Sequence, residues 1–332
     1  MQSVRLLARN EIALCDIAKP MPGSDEILLK VEACGICGTD RHLFKGEFPC
    51  MPPVTLGHEY SGIVQAFGTN VTGFHIGERI TADPNISCGT CPQCRLGRVH
   101  LCQNLVALGI HRDGGFAEYA LVPQKQAFLL PGSLHPDHGA FCEPLACCIH
   151  ALDLAAIKPG QSVIVLGGGV IGLLCVQLAR LAGASDVILV TRQASRRDLA
   201  ETIGATASCD PQATDPLTLV GGGADVVLEC AGVAETVAQA PKLAKSGGTV
   251  VIVGVMPKGE KVEFEPFDLL FRELKILGSF VNPFTHRRAA DLIASGIVKV
   301  EPLISRRISL ADAPDAVANP PRPGEVKVLI VP

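Results

Sequence analysis

The chain has 332 residues, a formal net charge of −4 and a sequence pI of about 6.1. At roughly 150 residues per domain, that length suits two domains with full cores. The acidic balance supplies no basic face for nucleic acid. Hydrophobic residues at 48%, charged residues at 19%, and 34 Gly with 24 Pro exclude a disordered, collagenous or coiled-coil chain.

Over 1–148, short apolar runs at 27–31, 62–66, 79–82 and 117–122 alternate with Gly and Pro clusters. This is the pattern of a small antiparallel barrel or sandwich. Arg5, Arg9 and Glu11 interrupt what would have to be the apolar core of a signal peptide. The longest uncharged tract, 163–176, is short of a membrane span and holds three consecutive glycines, so it reads as core. Fourteen cysteines then point to a reducing compartment or to metal. The expected location is cytoplasmic, with no membrane partner.

Two groups of metal-ligating residues lie in this first stretch. Cys37, Thr39, Asp40 and His42 fall in a loop after the first long strand, and His58-Glu59 follow about twenty residues later. Cys88, Cys91, Cys94 and Cys102, spaced Cys-x2-Cys-x2-Cys-x7-Cys, suit a closed tetrahedral zinc site. The same count fits an iron–sulfur cluster, but the ligands close one short loop and nothing else suggests electron transfer. Arg95 and Arg98, between the ligands, would offset the charge of a four-thiolate zinc. Farther on, Cys142-Glu143-Pro144 starts a helix with Pro at its first turn.

At Lys158-Pro159-Gly160 the rhythm changes. Strand patterns at 162–166, 187–191, 224–230, 249–254 and 274–280 alternate with helical patterns at 170–183, 195–204 and 234–244, which predicts a parallel sheet flanked by helices. A last helix over 286–295 precedes strands at 303–308 and 325–331, expected to return to the first domain. After the first of the parallel strands comes Gly167-Gly168-Gly169-Val170-Ile171-Gly172, a G-x-G-x-x-G turn opening a helix. Gly167 suits the tight turn, Gly169 close approach to a pyrophosphate, and Gly172 close helix–strand packing. The amides around Val170 and Ile171 then face the phosphates. The second strand of the sheet ends in Thr191-Arg192 with no acid until Asp198. A carboxylate there would bind a ribose 2′-hydroxyl, whereas Arg192, backed by Arg196 or Arg197, suits the 2′-phosphate of NADP.

Taken in order, Cys37 to His42, Gly57-His58-Glu59, the four-cysteine lobe, Glu143-Pro144 and the glycine turn resemble the zinc-dependent medium-chain dehydrogenases. The likeness is closest to the polyol branch typified by sorbitol dehydrogenase, and it spans essentially the whole chain. It implies an α/β fold: a GroES-like, mainly antiparallel β catalytic domain over 1–148 and a Rossmann doubly wound parallel-sheet domain over 149–281. Residues 282–332 would return to the catalytic domain. It further implies two zinc ions per chain and NADP, with NAD as the alternative. Cys37, His58 and Glu59 correspond to the catalytic zinc ligands, and Glu143 to a residue that touches that metal directly or through water, unless Cys142 takes its place. Thr39 matches the hydroxyl that receives the alcohol proton, His42 a relay to solvent, Asp40 a partner orienting the histidine ligand, and Lys327 a base at the coenzyme pyrophosphate.

The implied reaction is hydride transfer between a polyol or other secondary alcohol and the coenzyme. An L-threonine 3-dehydrogenase-like or butanediol dehydrogenase-like activity fits the same ligands. A non-catalytic nucleotide-binding protein is a reading from another class, and the presence of all four ligand positions opposes it. Val281-Asn282-Pro283 stands where sorbitol dehydrogenases tend to carry an Arg-Tyr pair, so their substrate contacts do not transfer. Phe44, Phe48 and Phe116 fit either an apolar substrate wall or the core. The apolar late strand suggests a homo-oligomer, dimer or tetramer, formed across a sheet edge. His75, His100, His111, His135, His138 and His286 show no partner at ligand spacing and read as ordinary histidines; the cysteines outside the zinc positions read as small buried hydrophobes.

Overall fold

In the computed structural model, which describes residues 1–332, the chain opens with an antiparallel hairpin of β1 (Gln2–Ala8) and β2 (Glu11–Asp16). β3 (Glu26–Gly35) is almost wholly buried, as its run of Ile27, Leu28, Leu29, Val31, Ala33 and Cys34 requires. Each large apolar side chain so enclosed contributes about 1.5–3 kcal/mol. The predicted loop after β3 is instead a short helix, α1 (Gly38–Phe44). Asp40 Oδ2 accepts the Cys37 N–H at 2.8 Å, closing the first turn, and Leu43 anchors the helix in the core. β4 (Glu59–Phe67) pairs antiparallel with β3, β5 (Arg79–Ala82) with β4, β6 (Tyr119–Pro123) with β3, and β7 (Ala127–Leu130) with β5. Phe116 is fully buried, which assigns it to the core rather than to a substrate wall.

Helix α2 (Cys142–Ala155) carries the chain from one compact unit to the next: one comprises Met1–Pro144 with Pro283–Pro332, the other Leu145–Asn282. The second unit is built on β8 (Ser162–Leu166), α3 (Val170–Leu181), β9 (Asp186–Val190), α4 (Ala194–Thr202), β10 (Ala207–Cys209), β11 (Ala224–Glu229), α5 (Ala234–Leu243), β12 (Ala244–Ile252), α6 (Pro266–Phe271) and β13 (Lys275–Gly278). The six strands are parallel in the order β10-β9-β8-β11-β12-β13. That order reverses beside β8, the switch point where doubly wound sheets bind dinucleotides. Continuous Val, Ile and Leu in β8, β9 and β11 are buried, as central parallel strands require. β10 and α6 escaped sequence reasoning because each is too short for its periodicity to show.

The first unit is then completed by α7 (His286–Ala294), β14 (Ile304–Ile308) and β15 (Lys327–Ile330). β15 pairs antiparallel with β3 and parallel with β14, extending the sheet to the order β7-β5-β4-β3-β15-β14. No helix is long and apolar enough to cross a membrane.

Candidate active site

Three strands set the geometry around one residue without a side chain. Gly35 on β3 stands opposite Glu59 on β4 and opposite Leu329 on β15. A Cβ on Gly35 would lie 2.1 Å from Glu59 Oε2, so the glycine leaves the space that the carboxylate fills. Cys37 precedes α1 and His58 precedes β4. One ligand atom each from Cys37, His58 and Glu59 lies within 4.8 Å of the others. His58 Nδ1 is 3.5 Å from Asp40 Oδ1, and Asp40 is fully buried. Burial alone would strip a proton from His58, but Asp40 and then Cys37 outweigh it and hold the imidazole well above its ordinary range. The same negative field suits a divalent cation, and thiolate, imidazole and carboxylate are a zinc donor set with room for a fourth ligand.

Glu143, buried in the first turn of α2, is outside this three-donor group but close enough for its charge to act on Lys327. Thr39 is half-buried in the first turn of α1. His42, one turn later, places Nδ1 2.6 Å from Glu47 Oε2, and this bond pulls the Glu47 carboxyl below its usual range. Glu47 went unnoticed in the sequence because only the helix and the turn after it bring the pair together.

In the second unit, Gly167 has φ +103°, and a Cβ there would press on Ala231 at 2.9 Å. A Cβ on Gly172 would lie 1.9 Å from the Gly167 carbonyl oxygen. Gly169 differs: a Cβ there meets no protein atom within 4 Å, so the space beside it is open to a ligand at the start of α3. The first amides of α3, from Val170 and Ile171, belong to the set that a helix cannot satisfy internally. Glu229, another residue that sequence reasoning missed, is fully buried at the end of β11. Its Oε1 accepts from Ala231 N and Gly232 N, both at 2.9 Å, and from Thr236 Oγ1 at 2.7 Å, which fixes the loop against Gly167. Its signal was a lone acid ending an apolar strand.

The alcohol dehydrogenase GroES-like domain family matches residues 23–132, and the zinc-binding dehydrogenase family matches residues 170–295. A sorbitol dehydrogenase of Halalkalibacterium halodurans is 34% identical over 95% of this chain and 94% of its own. An L-threonine 3-dehydrogenase of Idiomarina loihiensis is 33% identical over 93% of this chain and 92% of its own. The crystal structure of a protein from Sinorhizobium meliloti 1021, described as a zinc-binding dehydrogenase and bound to NADP, is 64% identical, with a TM-score of 0.98 over 100% of this chain and 99% of that one. The chain belongs to the zinc-dependent medium-chain dehydrogenases, in the polyol dehydrogenase-like branch. It is an alcohol oxidoreductase that uses zinc and a nicotinamide dinucleotide, and the non-catalytic reading falls.

In this dehydrogenase the sulfurs of Cys88, Cys91, Cys94 and Cys102 also come within 4.8 Å of one another. Backbone amides point at them: Cys88 N at 3.3 Å and Asn104 N at 3.4 Å from Cys102 Sγ, and Cys91 N at 3.4 Å from Cys88 Sγ. The Thr90 and then the Cys91 backbone push the Cys88 thiol down to about 5. Four sulfurs gathered on one short loop, with amides aimed at them, suit a closed structural zinc site.

Two residues matched to the coenzyme have partners within the protein. Lys327 is 1% exposed, with Nζ 2.5 Å from Glu59 Oε2 and 3.1 Å from the Ile36 carbonyl oxygen. Burial works against its charge, and Glu59, Cys37 and Glu143 outweigh that and raise it above the ordinary lysine range. An ammonium held this way adds to the charge balance around Cys37, His58 and Glu59. Arg197 donates to the Thr191 carbonyl oxygen at 2.7 Å and lies 3.6 Å from Asp210, so it braces the end of β9. Arg196 instead lies beside the glycine turn: a Cβ on Gly168 would meet Arg196 Cβ at 3.1 Å and Thr191 Cγ2 at 3.0 Å. Arg192 is exposed nearby in sequence.

Proposed function

We propose that this dehydrogenase interconverts a polyol or other secondary alcohol and its carbonyl product, with NADP preferred over NAD. The observation that carries the reading is the convergence of Cys37, His58 and Glu59 within 4.8 Å in a buried, net-negative setting. Met1–Pro144 with Pro283–Pro332 serves as the catalytic domain and Leu145–Asn282 as the coenzyme domain. When bound, zinc at Cys37, His58 and Glu59 supplies a Lewis acid that acidifies the alcohol, and NADP supplies the hydride acceptor.

Asp40 orients His58, the supporting arrangement that metal-bound imidazoles use. Lys327 offsets part of the charge that Glu59 and Glu143 bring, so two carboxylates can stand near one metal without quenching its acidity. Thr39 takes the alcohol proton, and His42, polarised by Glu47, passes it to solvent. Thr191, Arg192 and Arg196 receive the adenosine end of the coenzyme, with Arg192 on the 2′-phosphate; the NADP-bound relative supports this choice. Gly167, Gly169, Val170, Ile171 and Gly172 cradle the pyrophosphate.

The L-threonine 3-dehydrogenase relative keeps an amino alcohol within the substrate range. A homo-oligomer, dimer or tetramer, forms through the edge strand β13, whose neighbour α6 exposes Phe267, Leu270 and Phe271. A cytoplasmic location agrees with fourteen free cysteines, nine of them outside the two zinc groups.

The test is a panel of polyols, simple secondary alcohols, butanediols and L-threonine, assayed with NADP and with NAD while zinc is counted per chain. Turnover of a secondary alcohol with NADP, lost together with one zinc in Cys37→Ser, is the expected result. Full turnover in Cys37→Ser would remove the proposed metal chemistry.

A further inference from the structure

Away from the catalytic donors, the first unit gathers two more histidines that sequence spacing left unpartnered. The 3₁₀ turn Pro136–Phe141 is preceded by His135 and contains His138. Side chains three residues apart eclipse in such a turn, and here the two imidazoles lie 5.3 Å apart between centroids. Glu301, which opens the 3₁₀ turn Glu301–Leu303, places Oε2 3.1 Å from His138 Nε2, across 163 residues of sequence. One ligand atom each from His135, His138 and Glu301 lies within 4.8 Å of the others.

We propose that His135, His138 and Glu301 form a third divalent-metal site on this unit, of the two-histidine, one-carboxylate type that takes Zn²⁺. That donor set leaves positions for water and suits zinc, nickel or copper better than magnesium or calcium, which prefer oxygen ligands. The surroundings are those of a supported site. His135 Nδ1 faces Asp137, whose N lies at 3.4 Å and whose Oδ2 lies at 3.6 Å; a zinc bound at Nε2 would leave Nδ1–H to donate to that carboxylate. Arg307 Nη2 donates to both Glu301 oxygens, at 3.0 and 3.2 Å, and its Nε donates to Asp137. Hydrogen-bonded partners of this kind hold ligating carboxylates in place. Two carboxylates stand against one guanidinium around the imidazoles, a balance that favours a cation. A His138–Glu301 ion pair alone would not require the second imidazole at the same point.

An ion here would tie the turn that runs directly into Cys142-Glu143 to the returning segment before β14, and its binding would add to the stability of that unit. The site goes beyond the proposed reaction and does not depend on it.

The experiment is equilibrium dialysis of the whole protein against a Zn²⁺ series, with metal counted per chain, for wild type, His135→Ala/His138→Ala and Glu301→Gln. Expected is one more zinc in wild type than in either variant at the same free zinc, with alcohol turnover retained in both. Co²⁺ provides a second readout: an ion held only by nitrogen and oxygen adds no thiolate charge-transfer band, unlike ions at the cysteine sites. Should the double variant fail to fold, Glu301→Gln, which keeps the side-chain shape, decides alone. Equal zinc counts in wild type and the folded variants, or a thiolate band on the additional Co²⁺, would overturn the proposal. Failure of the catalytic reading would show separately, as a Cys37→Ser variant that keeps its zinc.

Discussion

Lys327 and Glu59, 268 residues apart in sequence, close a buried ion pair in which each side chain is 1% exposed. Breaking such a pair by removing one partner costs about 3–5 kcal/mol, because the remaining charge stays buried without compensation. Lys327→Met keeps the aliphatic stem and removes only the ammonium. In metal-stripped protein, urea unfolding should show a loss of that size, and added Zn²⁺ should recover more stability in the variant than in wild type, since the cation takes over the neutralising task. A variant as stable as wild type without metal would show that Lys327 does not compensate Glu59.

The arginines after β9 divide by what holds them. Arg197 is committed to the Thr191 carbonyl oxygen and Asp210, whereas Arg192 is exposed. Losing a hydrogen bond to a charged group costs about 1.5–3 kcal/mol, which corresponds to roughly 10–100-fold in affinity. Arg192→Asp is therefore expected to weaken NADP binding by that factor and to improve the NAD:NADP ratio further. Arg197→Ala should lower thermal stability while leaving the coenzyme ratio near that of wild type. Dissociation constants for both coenzymes, measured by fluorescence titration, separate the two. Equal effects on NADP and NAD in Arg192→Asp would remove the 2′-phosphate assignment.

What was legible in the sequence depended on whether a signal was local. The strand at 162–166 and the helix start at Val170 coincide with β8 and α3, since a buried parallel strand and a glycine turn write themselves in adjacent residues. The zinc donors were legible by residue type and order. The helix of α1 was hidden, because a seven-residue helix shows barely two turns of periodicity and its decisive feature is the Asp40 cap on Cys37. The Glu59 partner of Lys327 was hidden for a different reason. Glu59 lies on β4, and only the pairing of β15 and β4 on either side of β3 brings the two together. The same holds for His138 and Glu301, whose proximity is a product of the returning segment.

His286, at the start of α7, is 1% exposed, with Nε2 3.3 Å from Thr81 Oγ1 and its ring 4.9 Å from that of Phe128. Burial, reinforced by Arg287, pushes it down to about 3. In the unfolded chain it takes a proton below about 6.5, so between those values the unfolded state binds more protons. Its contribution is fully present above about pH 6.5 and is lost as pH falls toward 3, on the order of 4 kcal/mol across the window. His286→Gln, which keeps a hydrogen-bonding group toward Thr81, should flatten the acid limb of stability by about one proton. Urea midpoints from pH 7 to pH 4 measure this, and parallel acid limbs in the two proteins would refute it.

Gly169 and Gly172 stand three residues apart in one motif, yet they predict opposite outcomes. At Gly172 a Cβ would meet the Gly167 carbonyl oxygen at 1.9 Å, so Gly172→Ala must displace the helix from the strand. The expected loss is about 1–3 kcal/mol of stability, the usual cost of overpacking. At Gly169 a Cβ meets nothing within 4 Å, and the residue precedes α3 in an extended conformation with φ −76°. Gly169→Ala is therefore expected to leave the melting temperature at or slightly above that of wild type, since alanine narrows the unfolded ensemble. Its effect should appear only when the coenzyme arrives, because the added methyl occupies the approach of a pyrophosphate to the first amides of the helix. An NADP affinity lowered at least tenfold, with stability intact and zinc content unchanged, would separate a glycine kept for a ligand from one kept for packing. Undiminished NADP affinity in Gly169→Ala would mean that the phosphates do not pass over that residue.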